Sequence, residues 1–177
     1  KRVSQYMSWQ LLEQMTDWEE DMDRMMIMLP IVGCAFKKTF WSEKFGRNCS
    51  NLVHPKDLVV NYWADSLDKC ERKTQLYYYS KRELLEKFRA GEFLEVDLPD
   101  PSSDNLRKED KALGLVAGES DESTPYLVLE QHNFIDLDGD GYPEPYITTA
   151  LYQDATLLRI SARWDSDGVK KDEKGKI

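Results

Sequence analysis

Histidine and cysteine are scarce in this chain, and neither falls at the spacing that metal chemistry needs. The two histidines, His54 and His132, and the three cysteines, Cys34, Cys49 and Cys70, lie far apart, with no C-x-x-C pair. That excludes the usual zinc-ligand patterns. An odd, sparse set of thiols points to a reducing compartment and buried cysteines rather than a disulfide framework. No apolar run approaches the roughly 20 residues of a membrane span, and no secretory leader opens the chain. Long runs of Lys or Arg are also missing, and the net charge is -9. Gripping nucleic acid rests on neutralising phosphates, so that role is disfavoured. Enzymatic signatures are equally thin: no P-loop, no G-x-G-x-x-G, no H-E-x-x-H and no G-x-S-x-G. His132 sits beside Glu130 in an alternating stretch and reads as structural. Glu19 and Glu20 are adjacent, so a helix points them apart and they form no acid/base pair.

What is present is enough apolar material for a core: 41% hydrophobic and 11% aromatic in 177 residues. Met7, Leu11, Met15, Trp18, Met22, Met25 and Leu29 recur at steps of four or three, with Glu13, Asp17, Glu20, Asp21 and Arg24 opposite. The pattern predicts one amphipathic helix over about residues 4–29, ended by Pro30 and roughly 39 Å long. All six methionines lie in it, either as core filler or as an adaptable partner surface. Residues 31–41 switch to a period of two and read as a strand. A turn at 42–47 contains Gly46, and a return strand covers 48–53. Further strands are expected over 58–63 and 72–79. Ser80 and Glu83 spell a capping box for a short helix with Leu84, Leu85 and Phe88 inward and Gly91 at its end. Within Tyr77-Tyr78-Tyr79, alternation sends the middle ring opposite to its neighbours, so packing is favoured over a base-stacking platform.

The stretch 95–124 is rich in Asp and Glu and reads as an exposed acidic excursion or linker, with a short helix over 106–116. Strand signals return at 126–135, 145–153 and 156–164. The charged end, 165–177, reads as a turn leading onward. The start in a helical pattern without Met points to a piece of a longer polypeptide. The expected fold is α+β: a long N-terminal amphipathic helix packed against a mostly antiparallel β-rich lobe with one short capped helix. Its parts are a strut helix (1–30), strands plus the short helix (31–94), the excursion (95–124) and a hairpin with a third strand (125–177).

The run from Phe134 to Tyr146 is the densest in chemistry. Counted as a calcium loop, Asp136, Asp138 and Asp140 take positions 1, 3 and 5, Gly141 position 6, Tyr142 (by its carbonyl) 7 and Glu144 9. Position 12 is Ile147, which offers no side-chain oxygen. The metal candidates are therefore Asp136, Asp138, Asp140, Tyr142 and Glu144, for a weak Ca²⁺ site and no other cofactor. The alternative is a hairpin turn, since Asp138-Gly139 and Asp140-Gly141 both tolerate positive φ.

Four stretches together resemble the portal (head–tail connector) proteins of tailed bacteriophages, in the branch typified by short-tailed phages of enteric bacteria. They are Trp18 to Asp23 leading to Leu29–Lys38, Pro55–Tyr62, Tyr126–Glu130 and Phe134–Tyr146. The resemblance implies a wing-side, N-terminal portion of a ring subunit in the virion. Its partners would be other portal subunits, with capsid and terminase reached through the full-length protein. Genomic DNA would pass nearby without being gripped, and no membrane would be involved. It implies a structural protein of DNA packaging rather than an enzyme. The competing expectation is a calcium-stabilised β-rich binding module.

Overall fold

The apolar stripe near the N-terminus does not run through one helix. The computed structural model describes residues 1–42, 44–101 and 123–163. Helix α1 spans Arg2–Trp9, a π-helical turn covers Gln10–Gln14, and α2 spans Trp18–Val32. The break falls at Met15–Asp17. Thr16 and Asp17 are weak helix formers that favour helix starts, and Met15 leaves the helical region with φ -93 and ψ 72. The expected continuous helix is thus corrected to two. Its end is corrected too. Pro30 lies inside α2, and the chain closes the helix at Gly33, whose φ of 84 lets its amide reach the Leu29 carbonyl at 2.8 Å. Proline removes one donor, but with only two helical residues beyond it little ladder is lost. The expected strand therefore starts later, at Phe36.

The chain forms two compact units, the first Lys1–Leu58 and the second from Val59 onward. In the first, β1 (Phe36–Ser42) and β2 (Arg47–Val53) make an antiparallel ribbon pairing Phe36 with Val53 and Ser42 with Arg47. Gly46 takes φ 59 in its turn. Asp21 ties α2 to the ribbon by accepting the Leu52 amide at 2.9 Å. The Lys37 ammonium lies 5.8 Å above the Trp18 ring. Leu11, Met15, Trp18, Met22 and Met25 are half-buried, so the middle of the stripe does face inward. No residue of α1 or α2 is fully buried; Met15, Met22, Met25 and Met28 are half-buried, while Met7 and Met26 are exposed. Cys34 is exposed, Cys49 half-buried and only Cys70 buried, and all three are free thiols.

The second unit, with Leu58 at the boundary, holds a five-stranded sheet in the order β3-β4-β5-β6-β7. These are Leu58–Val60, Lys73–Tyr79, Tyr126–Ile135, Glu144–Leu151 and Leu157–Ala162. Strands β4 to β7 pair antiparallel in sequence. Tyr77 and Leu151 both face Val128 across the register, and Tyr79 faces Tyr126. Those positions share one face. There Tyr126, Val128, Leu151 and Leu158 form the core with Leu84 of α3 (Lys81–Arg89). Phe88 joins Leu84 on the inner side of α3, while Leu85 is exposed, against expectation. It lies about 100° around the helix from Leu84. Strand β3 is shorter than expected. Tyr62 and Trp63 lie beyond it, exposed and in edge-to-face contact at 5.0 Å.

The expected excursion from residue 95 begins as packed chain. Phe93, Val96 and Leu98 cover the core. The Leu94 amide donates to the Leu158 carbonyl at 2.7 Å, and the Tyr126 hydroxyl to the Pro99 carbonyl at 2.9 Å. The short helix expected over 106–116 and the charged end 165–177 lie outside the described residues.

The capping box on α3 is complete: Glu83's amide donates to the Ser80 hydroxyl at 3.3 Å, and Ser80's amide to the Glu83 carboxylate at 2.8 Å. The bonds from the Ser80 amide and hydroxyl hold the Glu83 carboxyl below its usual range. A carboxylate lowered in the folded state contributes stability above its unfolded pKa and loses it as pH falls through the folded value. Ser80→Ala is expected to cost about 1 kcal/mol near pH 7, a deficit that shrinks on acidification below the carboxylate range in urea titrations. Leu158→Ala, in contrast, should cost about 3 kcal/mol at either pH.

Candidate functional site

Strands β5 and β6 end their pairing at Ile135 opposite Glu144, so residues 136–143 must turn the chain back. Gly139 and Gly141 adopt φ of 75 and 87, which side chains bearing Cβ rarely take. The aspartates hold this turn by bracketing its amides. Asp136 accepts from Gly139 at 2.7 Å through one oxygen and from Gly141 at 2.9 Å through the other. Asp138 accepts from the Asp140 amide at 3.2 Å, and Asp140 from the Tyr142 amide at 2.7 Å.

The same folding draws the three carboxylates together. One oxygen from each of Asp136, Asp138 and Asp140 lies within 4.8 Å of the others, all exposed. Among the described residues, no other trio of His, Cys, Asp or Glu converges in this way. Each carboxylate keeps lone pairs beyond those its amide partner uses. Three like charges at this spacing repel, and amide donors, water or a hard cation offset that repulsion.

Tyr142 and Glu144 stand outside the converging trio. Tyr142 presents its amide to Asp140, and its carbonyl is the remaining ligand type at that position. Glu144 is drawn into the sheet, where its carboxylate accepts the Tyr146 hydroxyl at 2.9 Å. Burial, and next the bond to Glu144, holds that hydroxyl above its ordinary range, so it stays a donor. This pair was not singled out from the sequence. Its signal is the separation of two along one strand, which puts both side chains on one face. Ile147 is committed to the sheet opposite His132 and Ser161. The chemistry of the donor set, all oxygen and mostly carboxylate, suits Ca²⁺ over zinc or copper. Without an acidic closing ligand, it suits weak rather than tight binding.

His132 lies 3.5 Å from Glu130 on the same strand face, with Lys73 as its cross-strand neighbour. Tyr77 and Tyr79 stack at 5.6 Å with planes 8° apart against the core, and Tyr78 points the other way. Burial above all raises both stacked hydroxyls, with the Glu130 charge second for Tyr77 and Tyr77 itself second for Tyr79. A shallow groove lined by Val59, Val60, Leu76 and Leu129 shares no residue with the aspartate loop. No described helix is long and apolar enough to cross a membrane. No family model matches the chain, and no curated protein matches it.

Calcium at about 100-fold over its dissociation constant is expected to stabilise the second unit by about 3 kcal/mol if the loop takes the ion. Calorimetry of the parent and of Asp138→Ala/Asp140→Ala, each with and without calcium, reads this out. The response should vanish in the double variant. An equal response in both would place the ion elsewhere, and none in either would leave the loop as a turn.

Proposed function

We propose that this chain is a structural subunit fragment: the wing-side portion of a tailed-phage portal ring, at the capsid vertex through which the genome enters and leaves. The observation that carries this reading is the uncovered apolar surface of the first unit. Val3, Leu12, Met26, Ile27 and Ile31 are each more than 60% exposed on or beside helices that bury no residue fully. Isolated exposed apolar residues are ordinary, but a helix pair lined with them is what a neighbouring subunit covers. Ile27 and Ile31 stand one turn apart on α2, with acidic Glu20 and Asp23 on the preceding turns of that side. In a ring, each copy presents one patch to the next and receives a different one, so such a stripe has a natural partner.

The order and spacing of the four stretches that resemble portal proteins support the same reading. The net charge of -9 suits a part that works near packaged DNA without adhering to it, because like charge repels phosphate. On this reading the partners are other copies, with capsid and terminase met through the full-length protein. The side chains serve shape rather than turnover, and the protein resides in the virion.

The convergence of Asp136, Asp138 and Asp140 favours a second reading, a calcium-stabilised β-rich binding module. Only that reading requires the calcium response described above.

The assembly reading predicts self-association through α2. Ile27→Glu/Ile31→Glu is expected to weaken it at least about tenfold, a change of roughly 1.4 kcal/mol, with the melting of the second unit unchanged. Sedimentation velocity across a concentration series measures this. A chain that stays monomeric at about 100 μM, together with a full-length protein that forms no ring by electron microscopy, would remove the portal assignment.

A further inference from the structure

The apolar stripe from Met7 to Leu29 passes straight through Met15, and no proline or glycine lies between Arg2 and Leu29, yet the helix breaks at residues 15–17. What sits at the break is a side chain from another element. Arg47, at the start of β2, donates to the Gln14 carbonyl at 2.6 Å, to the Thr16 hydroxyl at 3.3 Å and to the Asp17 carboxylate at 3.0 Å. Its side chain is only 15% exposed. Asp17 occupies the N-cap position of α2 but makes no cap bond with its side chain. The carboxylate that would start the helix is engaged by Arg47 instead.

We propose that residues 2–32 form a two-position strut, bent at Met15–Asp17 while Arg47 holds the joint and continuous when Arg47 lets go. The two positions exchange partners for the same backbone groups. In the bent form, Met15's amide reaches back five residues to Gln10 at 2.9 Å, Trp18's amide goes to Met15 at 3.0 Å, and Arg47 satisfies the Gln14 carbonyl. Within the described residues, the amides of Thr16 and Asp17 form no backbone hydrogen bond. In the continuous form, Thr16 and Asp17 bond to the carbonyls of Leu12 and Glu13. Trp18's amide then takes the Gln14 carbonyl that Arg47 now occupies. A joint at which the Gln14 carbonyl and the Trp18 amide each have two discrete partners is bistable rather than gradually flexible. Single π-helical turns like that at Gln10–Gln14 are frequent at functional sites in other helices.

Any contact that draws the Arg47 guanidinium away shifts the population toward the continuous form, by as much as it prefers that form. An acidic group on a neighbouring chain has the right charge, because Asp17, one of the groups it must displace, is itself largely exposed. Straightening re-aims α1, with exposed Val3, Tyr6 and Met7, while Asp21 keeps α2 on the ribbon through the Leu52 amide. The inference does not depend on the portal reading.

Amide hydrogen exchange and backbone chemical shifts by NMR test it. In the parent, Thr16 and Asp17 amides should exchange as loop residues do. In Arg47→Ala they should slow by about tenfold or more and residues 15–17 should acquire helical shifts, with the Leu52 amide as protected as in the parent. Arg47→Lys, which retains the charge but not the planar fork, should fall between. Loop-like exchange at Thr16 and Asp17 in Arg47→Ala, with Leu52 still protected, overturns the proposal. If Arg47→Ala unprotects the whole ribbon, Arg47→Met decides, since it keeps the aliphatic stem that packs there and removes all three donor bonds. Slowed exchange across the joint then supports the two-position strut, and unchanged exchange overturns it.

Discussion

The register of β5 is the constraint on which most of this molecule rests. It bonds to β4 on one edge and β6 on the other, so its alternation decides what both neighbours present to the core. With Val128 inward, Tyr77 and Leu151 are inward as well, and Leu84 of α3 has a surface to meet. A slip of β5 by one residue would turn its whole inward set, Val128 included, to the opposite face. The same register delivers Ile135 and Glu144 to the end of the ladder together, leaving the aspartate turn to join them. The carboxylate trio is therefore a product of strand pairing, brought together by a ladder that ends at its edge.

The turn shows how one set of residues serves structure and remains open to ligand chemistry. Both oxygens of Asp136 are used to hold glycine amides, which fixes a loop whose two left-handed residues would otherwise cost entropy. That same fixation confines the second and third carboxylates to a small volume. Ion binding at such a place starts from a loop already formed, so little ordering remains to be done.

Much of the second unit was legible in the sequence because its signals are local. Ser80 and Glu83 sit three apart and make both capping bonds. The strands over 72–79 and 126–135 alternate as their pairing requires. The hairpin reading of residues 136–143 follows from glycines at positions that need positive φ. The errors came where distant residues decide. The helix expected over 4–29 has an unbroken apolar period, and Arg47, some thirty residues onward, occupies the joint. Thr16-Asp17 followed by Glu19-Glu20-Asp21 carries the ordinary signature of a helix start, and the strength of the stripe overrode it. Pro30 has the chemistry of a helix stop, yet the helix runs past it to the left-handed Gly33 three residues later. Residues 93–98 look like the entrance to an acidic linker by composition, yet Phe93, Val96 and Leu98 find the core. Of the candidate site, the convergence of alternate aspartates follows from spacing. The diversion of Glu144 to Tyr146 depends on which face of β6 each occupies.

The bond between Asp21 and the Leu52 amide has one more implication. A two-stranded ribbon offers raw backbone along both of its sides, and such borders invite stray polypeptide to add itself as another strand. On the β2 side that invitation is withdrawn near the strand's last residues: the donor at Leu52 is already taken, and an incoming chain meets a carboxylate where it would need a carbonyl's place. The helix thus acts as a guard rail against strand addition at that end of the ribbon.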